Sequence, residues 1–289
     1  MNKTYIIYCL VYFILFFVNT EMIYAEEAPL FEQVEDDEDA ANSADEWEKA
    51  IGFGAGISLT GYYDETNSLN KTYSNAAAFI IFGSFENKNL LHSFNINFFW
   101  GDALRVEPYK GYIQVPCSSI RGQIDYSLVC NLFERTFYSL YTGGTFRTLA
   151  HYTGPVIDSE IKALNPTGVV LFSLDLNLSQ KFIFNDRNFI FFSMRLPIVG
   201  YAIRPPYAGL DGLWQKYQHE ETYYKFISVG ELISFHNYFA ITGEIKYNFK
   251  INQRFAVYSA IGFDYSFISF HRSREDIILA LNAGITILF

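Results

Sequence analysis

The chain has 289 residues, 50% of them hydrophobic and 19% aromatic, with 29 Phe, 22 Tyr and a formal net charge of −10. A soluble globular domain rarely carries so many aromatic residues, whereas a lipid-facing wall with aromatic girdles uses them routinely. Beyond the N-terminal segment no apolar run reaches the roughly 20 residues of a helical span, and residues 51–289, with 19 basic and 19 acidic side chains, give no electrostatic reason to expect a nucleic-acid partner.

In residues 1–25, Lys3 supplies a positive start and Tyr5 to Val18 form an uncharged apolar stretch. Polar Asn19-Thr20-Glu21 follow, and Ala25 is the expected cleavage point. That is the organisation of a secretory signal peptide, and the apolar run falls short of a membrane anchor. Cys9 lacks the small residues of a lipoprotein site before it, so no lipid anchor is expected. Residues 26–50 hold eleven carboxylates and one basic residue, Lys49, so this segment carries as much net charge as the whole chain. Such a run cannot bury enough apolar surface to fold. It is expected to be a disordered acidic periplasmic segment that keeps the unassembled chain soluble, with cation binding or docking to a basic partner as the alternative. Residues 51–289 form the third region.

From residue 51 onward the sequence alternates with period two, the pattern of a strand whose successive side chains point to opposite faces. Segments 51–62, 76–85, 91–100 and 136–148 alternate less regularly than the rest. In 119–132, Ile120, Ile124, Tyr126, Leu128 and Leu132 oppose Arg121, Gln123, Asp125, Ser127 and Asn131. In 168–181, Val170, Phe172, Leu174, Leu176 and Leu178 oppose Ser173, Asp175, Asn177, Ser179 and Lys181. In 189–198, Ile190, Phe192, Met194, Leu196 and Ile198 oppose Ser193 and Arg195. Ile241, Ile245, Tyr247 and Phe249 alternate with Thr242, Glu244, Lys246 and Asn248 in 239–249. The cleanest strand, Arg254 to Phe270, sets Phe255, Val257, Ile261, Phe263, Tyr265 and Phe267 against Ala256, Ala260, Gly262, Asp264 and Ser266. The last, 276–289, alternates back from Phe289 through Ile287, Ile285, Ala283, Leu281, Leu279 and Ile277.

The final eight residues, Asn282-Ala283-Gly284-Ile285-Thr286-Ile287-Leu288-Phe289, read polar-x-Gly-x-x-apolar-x-apolar and end on an aromatic. This resembles the C-terminal signal by which bacterial outer-membrane β-barrel proteins are recognised for assembly, with Asn282, Gly284, Ile287 and Phe289 at the signal positions. The resemblance implies an all-β fold, a transmembrane antiparallel β-barrel located in the cell outer membrane. Its partners would be outer-membrane lipid and the barrel assembly machinery, with the oligomeric state left open. Such barrels keep short turns and both termini in the periplasm and longer loops outside. Four short polar connections flanked by Phe85, Phe133, Phe137, Phe184, Phe189, Phe249 and Phe255 fit the periplasmic turns of ten strands. They alternate with long connections at 63–75, 101–118, 149–167 and 199–238; the fifth outer connection, His271 to Glu275, is short. A count of twelve is the alternative, if Tyr109 to Val115 and Tyr223 to Phe235 are strands. With ten, 223–235 belongs to a folded outer loop or to a strand extending beyond the bilayer.

No nucleotide-binding loop, dinucleotide fingerprint or Gly-x-Ser-x-Gly elbow is present. The five His are scattered without metal-ligand spacing, so no catalytic residue, metal or cofactor is expected. His92-Ser93-Phe94 does not match the His-x-Ser-Asn-Gly-like motif of outer-membrane phospholipases, and the acidic pairs and Asp-x-His element of ten-strand outer-membrane proteases are absent. Arg204-Pro205-Pro206-Tyr207-Ala208-Gly209 resembles an Arg-Pro-Tyr-Ala-Gly stretch in a family of outer-membrane lipid A deacylases. An extra Pro interrupts it, and that family's Asn-Asp and His elements are missing; as local structure it is a Pro/Gly turn. Cys117 and Cys130 would meet an oxidising periplasm, but a hairpin joining them would have to turn near Gln123, inside a strand.

The alternation turns Arg121, Asp125, Asp175, Lys181, Arg195, Glu244, Lys246 and Asp264 into the lumen. Ten strands enclose little more space than eight, which side chains just fill, and charges buried there need partners. A salt-bridged plug is the expectation, with a polar constriction of a narrow pore as the alternative. A turn centred on Asp186 sets Asp175 opposite Pro197 and Arg195 opposite Asn177, so that Arg195 reaches Asp175 diagonally. The functional expectation is a non-enzymatic structural, surface or small-solute transport protein. The alternatives are a membrane-embedded lipid-modifying hydrolase and an adhesin acting through 199–238.

Overall fold

The computed structural model describes residues 48–64, 71–87, 89–107, 113–155, 167–204, 230–269 and 273–289, and they are strands and their turns. In chain order the strands are β1 (Glu48–Asp64), β2 (Lys71–Glu86), β3 (Leu90–Glu107), β4 (Ile113–Arg135), β5 (Tyr138–Pro155) and β6 (Thr167–Asn185). They continue with β7 (Asn188–Ile203), β8 (Glu231–Ser234), β9 (Tyr238–Lys250), β10 (Phe255–Ile268) and β11 (Arg274–Leu288). The barrel opens at Glu48, three residues before the expected boundary at 51. The expected signal peptide and residues 26–47 of the acidic segment lie outside the described residues.

Each strand pairs antiparallel with its neighbour, and β11 returns to β1 in unbroken register from Ala50↔Leu288 to Asp64↔Arg274. The closed ring has ten strands: β1 to β7, then β9, β10 and β11. Closure leaves no unpaired edge, which is what a sheet in lipid requires. The eleventh strand, β8, adds no wall of its own. It pairs with Val199–Ala202 of β7, above the point where β9 leaves that edge at Arg195↔Thr242. Pro197, which has no N–H to leave unpaired, sits in this lapse. The detour Phe235-His236-Asn237 joins β8 to β9, and Asn237 Oδ1 accepts from Ser234 N at 2.9 Å. The described end of 223–235 therefore prolongs a ring strand, and 113–115 is simply the start of β4. The twelve-strand count fails on both segments; residues 109–112 and 205–229 lie outside the described residues.

The strands run 13 to 23 residues around the ring, where a tilted span needs about 9–11. Much of the expected outer connections is thus strand, and the links β1–β2, β3–β4 and β5–β6 shrink to 65–70, 108–112 and 156–166. Above a membrane the outward face need not be apolar, so period-two hydrophobicity fades there while the ladder continues. The outward face changes at this level: Trp100 is 61% exposed, and Asp102, two residues further on the same face, is exposed as well. Below it the outward positions are apolar, as Ile57, Phe79, Phe98, Ile124, Leu176 and Leu281 illustrate.

At the opposite end the short turns are built by asparagine. Asn87 Oδ1 accepts from Asn89 N and Leu90 N, Asn185 Oδ1 from Arg187 N and Asn188 N, and Asn252 Oδ1 from Arg254 N and Phe255 N. These are side chains that mimic a backbone turn. Phe85, Phe133, Phe137, Phe184, Phe249, Phe255 and Phe289 ring this end with exposed side chains. Inside, Gly54 and Gly284 face each other across the β1–β11 seam, and the Tyr258 side chain lies over them. A Cβ on Gly284 would come within 2.1 Å of Phe53 O, so the seam has room only for glycine there. Cys117 is buried near the upper end of β4 and Cys130 exposed near its lower end, and neither is disulfide-bonded.

Candidate functional site

The inward positions of β4, β5, β6, β7 and β10 converge on one charged layer across the lumen. Arg121 NH2 lies 2.5 Å from Asp264 Oδ2 and donates to Gln123 Oε1 at 3.0 Å. Gln123 Nε2 donates to Asp125 Oδ2 at 2.8 Å, and Arg195 NH1 donates to the same carboxylate. Arg147 stands at the centre. Its Nε is 3.2 Å from Asp175 and 3.8 Å from Asp125, its NH1 is 3.9 Å from Asp264, and its NH2 donates to Thr242 Oγ1. Ser173 Oγ donates to Asp175 at 2.7 Å. Three guanidinium groups thus meet three carboxylates, and the Arg147 and Asp175 side chains are 2% and 0% exposed. Buried charges persist only when paired and hydrogen-bonded, and this layer is electrically balanced.

The register around the Asp186 turn is as expected, with Asp175 opposite Pro197 and Arg195 opposite Asn177. The expected Asp175–Arg195 pair is corrected. Arg195 reaches across the lumen to Asp125, and Asp175 is held by Arg147 on its other neighbour, β5. Arg147 faces Ser173 in the β5–β6 ladder, so it is also a diagonal neighbour of Asp175. Arg147 escapes a pattern search because Thr142-Gly143-Gly144-Thr145 breaks the alternation just before it.

Of the eight expected lumen charges, Arg121, Asp125, Asp175, Arg195 and Asp264 meet in this layer; Lys181, Glu244 and Lys246 do not. They line a vestibule of about 480 Å³ that reaches down to the short-turn end at Glu48, Asp186 and Gln253. Lys181 Nζ is 2.9 Å from both oxygens of Glu86, which also accepts from Tyr141 OH at 2.6 Å. Lys246 Nζ sits 3.1 Å from the Phe82 ring centre and 4.4 Å from that of Tyr258.

Above the charged layer part of the interior is filled by one apolar cluster that includes Leu149, Val169, Leu171, Ile233, Tyr238 and Ala240. Near it, His151 Nε2 lies 3.1 Å from Ser119 Oγ, and Arg274 NH2 is 2.6 Å from His151 Nδ1. Arg274 also grips Asp276 with Nε and NH2, at 2.9 and 3.1 Å. A guanidinium cannot accept, so Nδ1 takes its hydrogen bond and the neutral ring carries its proton on Nε2. His151 then donates to Ser119, the reverse of what a serine nucleophile needs from its base. Arg204 is buried at the end of β7, and residues 205–209 of the deacylase-like stretch lie outside the described residues. Among the described residues no group of three or more His, Cys, Asp or Glu could hold a metal ion.

At the seam, Asn282 and Gly284 face inward on β11, Ile287 faces outward, and Phe289 is 71% exposed at the end. The Phe289 N–H donates to Lys49 O at 2.9 Å, tying the last residue to the first strand.

The structure is similar to the outer membrane protease OmpT of Escherichia coli, with a TM-score of 0.51, 8% identity, and coverage of 86% of this chain and 98% of that one. The chain has the fold of an outer-membrane β-barrel. At that identity the likeness concerns the fold; the apolar outer wall and aromatic rings of the barrel agree with it. Looser likenesses are to an outer-membrane channel of Pseudomonas putida F1 (TM-score 0.36, 9% identity, 83% of this chain and 95% of that one) and the translocator domain of autotransporter NalP of Neisseria meningitidis (TM-score 0.35, 5% identity, 86% and 91%). No protein-family model and no curated protein matches the sequence. The short-turn end is the periplasmic one by the rule that governs such barrels.

Proposed function

We propose that this barrel is a non-enzymatic outer-membrane protein with a sealed lumen, a rigid scaffold whose role lies in what it presents at the two membrane faces. The observation that carries this is Arg147, buried and shared among Asp125, Asp175 and Asp264. A pore-lining arginine keeps water around it; this one is spent on protein carboxylates, and the apolar cluster above it adds a second barrier. A small-solute channel would need both layers to part. The lipid-modifying alternative draws no support from Ser119 and His151, whose proton sits on the wrong nitrogen for base catalysis. Insertion would depend on outer-membrane lipid and the barrel assembly machinery, with Asn282, Gly284, Ile287 and Phe289 as the recognised end.

The test uses refolded full-length barrel. Incubated with outer-membrane lipid extract, it leaves the lipids unchanged by mass spectrometry, and liposomes containing it do not swell in isotonic sugar solution. Deacylated or otherwise trimmed lipid would overturn the non-enzymatic part, and sugar-dependent swelling the sealed part.

A further inference from the structure

The vestibule holds two charges, Glu244 and Lys246, that form no ion pair or hydrogen bond among the described residues. Above the rim, every other described charge inside the ring has an ionic partner: Arg121, Arg147 and Arg195 with the three Asp, Lys181 with Glu86, and Arg274 with Asp276. Arg204 and Glu231, which also have partners, stand outside this comparison. Glu244 and Lys246 have opposite sign and share one face of β9, two residues and about 7 Å apart along the strand. Simple electrostatics would pair them, yet no ion pair or hydrogen bond joins them. The Lys246 ammonium is instead held over the Phe82 and Tyr258 rings, which meet edge to face at 5.1 Å between centres. Those rings are themselves seated on glycine: a Cβ at Gly52 would strike Phe82, and one at Gly54 would strike Tyr258. Three strands thus cooperate to hold the ammonium away from the carboxylate, and both side chains line the cavity.

A buried charge without a counter-ion is costly, and two of opposite sign, held apart in a cavity of about 480 Å³, form a complementary pair for a dipolar guest. The cavity size lies within the usual range for small-molecule sites. Phe189 and Phe191 supply an aromatic wall beside the charges. The acceptor Asn282 Oδ1 and the hydroxyls of Tyr258 and Thr286, all lining the same space, are buried without hydrogen-bond partners among the described residues. We infer that the periplasmic vestibule is a binding site for a small zwitterion with an apolar or aromatic body. Its cationic group would sit at Glu244 and its anionic group at Lys246. The site is independent of the sealed lumen above it, because a ligand enters and leaves through the periplasmic mouth.

Three probes of one shape separate the possibilities: 4-fluorophenylalanine, which is zwitterionic, its N-acetyl derivative, which is anionic, and its amide, which is cationic. Fluorine NMR of each with the full-length barrel in micelles reads the affinity, and heat-modifiable gel migration verifies the fold of each variant. The zwitterion should bind saturably and at least about ten-fold more tightly than either singly charged probe, as expected if each charge contact contributes on the scale of a charge-assisted hydrogen bond. Glu244→Gln and Lys246→Met should each abolish that preference. Glu244 makes no internal bond, so Glu244→Gln leaves the fold intact and keeps the test decisive even if Lys246→Met misfolds. Equal binding of all three probes, saturable binding of none, or zwitterion binding unaffected by Glu244→Gln would overturn the inference.

Discussion

Replacing Arg147 with Met keeps the length of the side chain and removes the charge shared by three carboxylates. The three do not suffer equally. Asp264 retains Arg121 and Asp125 retains Arg195, whereas Asp175, fully buried, is left with Ser173 alone. Leaving one member of a buried ion pair without its partner costs about 3–5 kcal/mol, and here that cost falls mainly on Asp175. Arg147→Met should therefore destabilise the barrel by about that amount in reversible urea unfolding from phospholipid vesicles. Fluorescence of lipid-facing Trp100 reports the transition. The double variant Arg147→Met/Asp175→Asn removes the stranded charge and should regain most of the loss, since replacing both partners of a buried pair is often close to neutral. A single variant within about 1 kcal/mol of wild type, or a double variant no better than the single one, would refute the assignment of Arg147 as the keystone of the layer.

Arg195→Ala should cost a few kcal/mol by stranding Asp125 only in part, because Arg147 still lies 3.8 Å away; the same unfolding assay should rank it below Arg147→Met. Gly284→Val should impair closure of the β1–β11 seam and reduce heat-modifiable barrel, because backbone atoms at 2.1 and 2.7 Å cannot give way, whereas Gly122→Ala, with nothing within 4 Å, should be neutral. Deleting Phe289 should reduce insertion and yield periplasmic aggregates or degradation, and Phe289→Asp should be worse; normal membrane-assembled barrel in the deletion would count against its role as the assembly signal. Protein isolated from outer membranes should begin at Glu26 or within a few residues of it by N-terminal sequencing, and an intact Met1 would contradict the signal peptide.

Within the membrane the wall was readable from the chain. On β11 the outward faces of Ile277, Leu279, Leu281 and Ile285 and the inward faces of Ala280, Asn282 and Thr286 fall where period two puts them. The reason is physical: between lipid and a polar interior each residue type has one permitted side. Outside the bilayer that constraint lapses, so the upper halves of β3 and β4 read as loops although their ladder continues from Trp100↔Ile120 to Glu107↔Ile113. The charged layer was only half legible. Alternation and the Asp186 turn placed Asp175 and Arg195 correctly, but partner choice depends on how far a guanidinium spans the lumen, which no local pattern encodes. Lys246 was placed inside with the other charges; Tyr258 is its diagonal neighbour on the adjoining strand β10, but nothing in the sequence foretold that Phe82 would join it from distant β2.

Single-channel recording in planar bilayers tests the sealed lumen most directly. Wild-type barrel should insert without steady conductance at moderate voltage, and Arg147→Met should show irregular openings as the layer loosens. Steady, ion-selective channels from the wild-type protein would contradict the account.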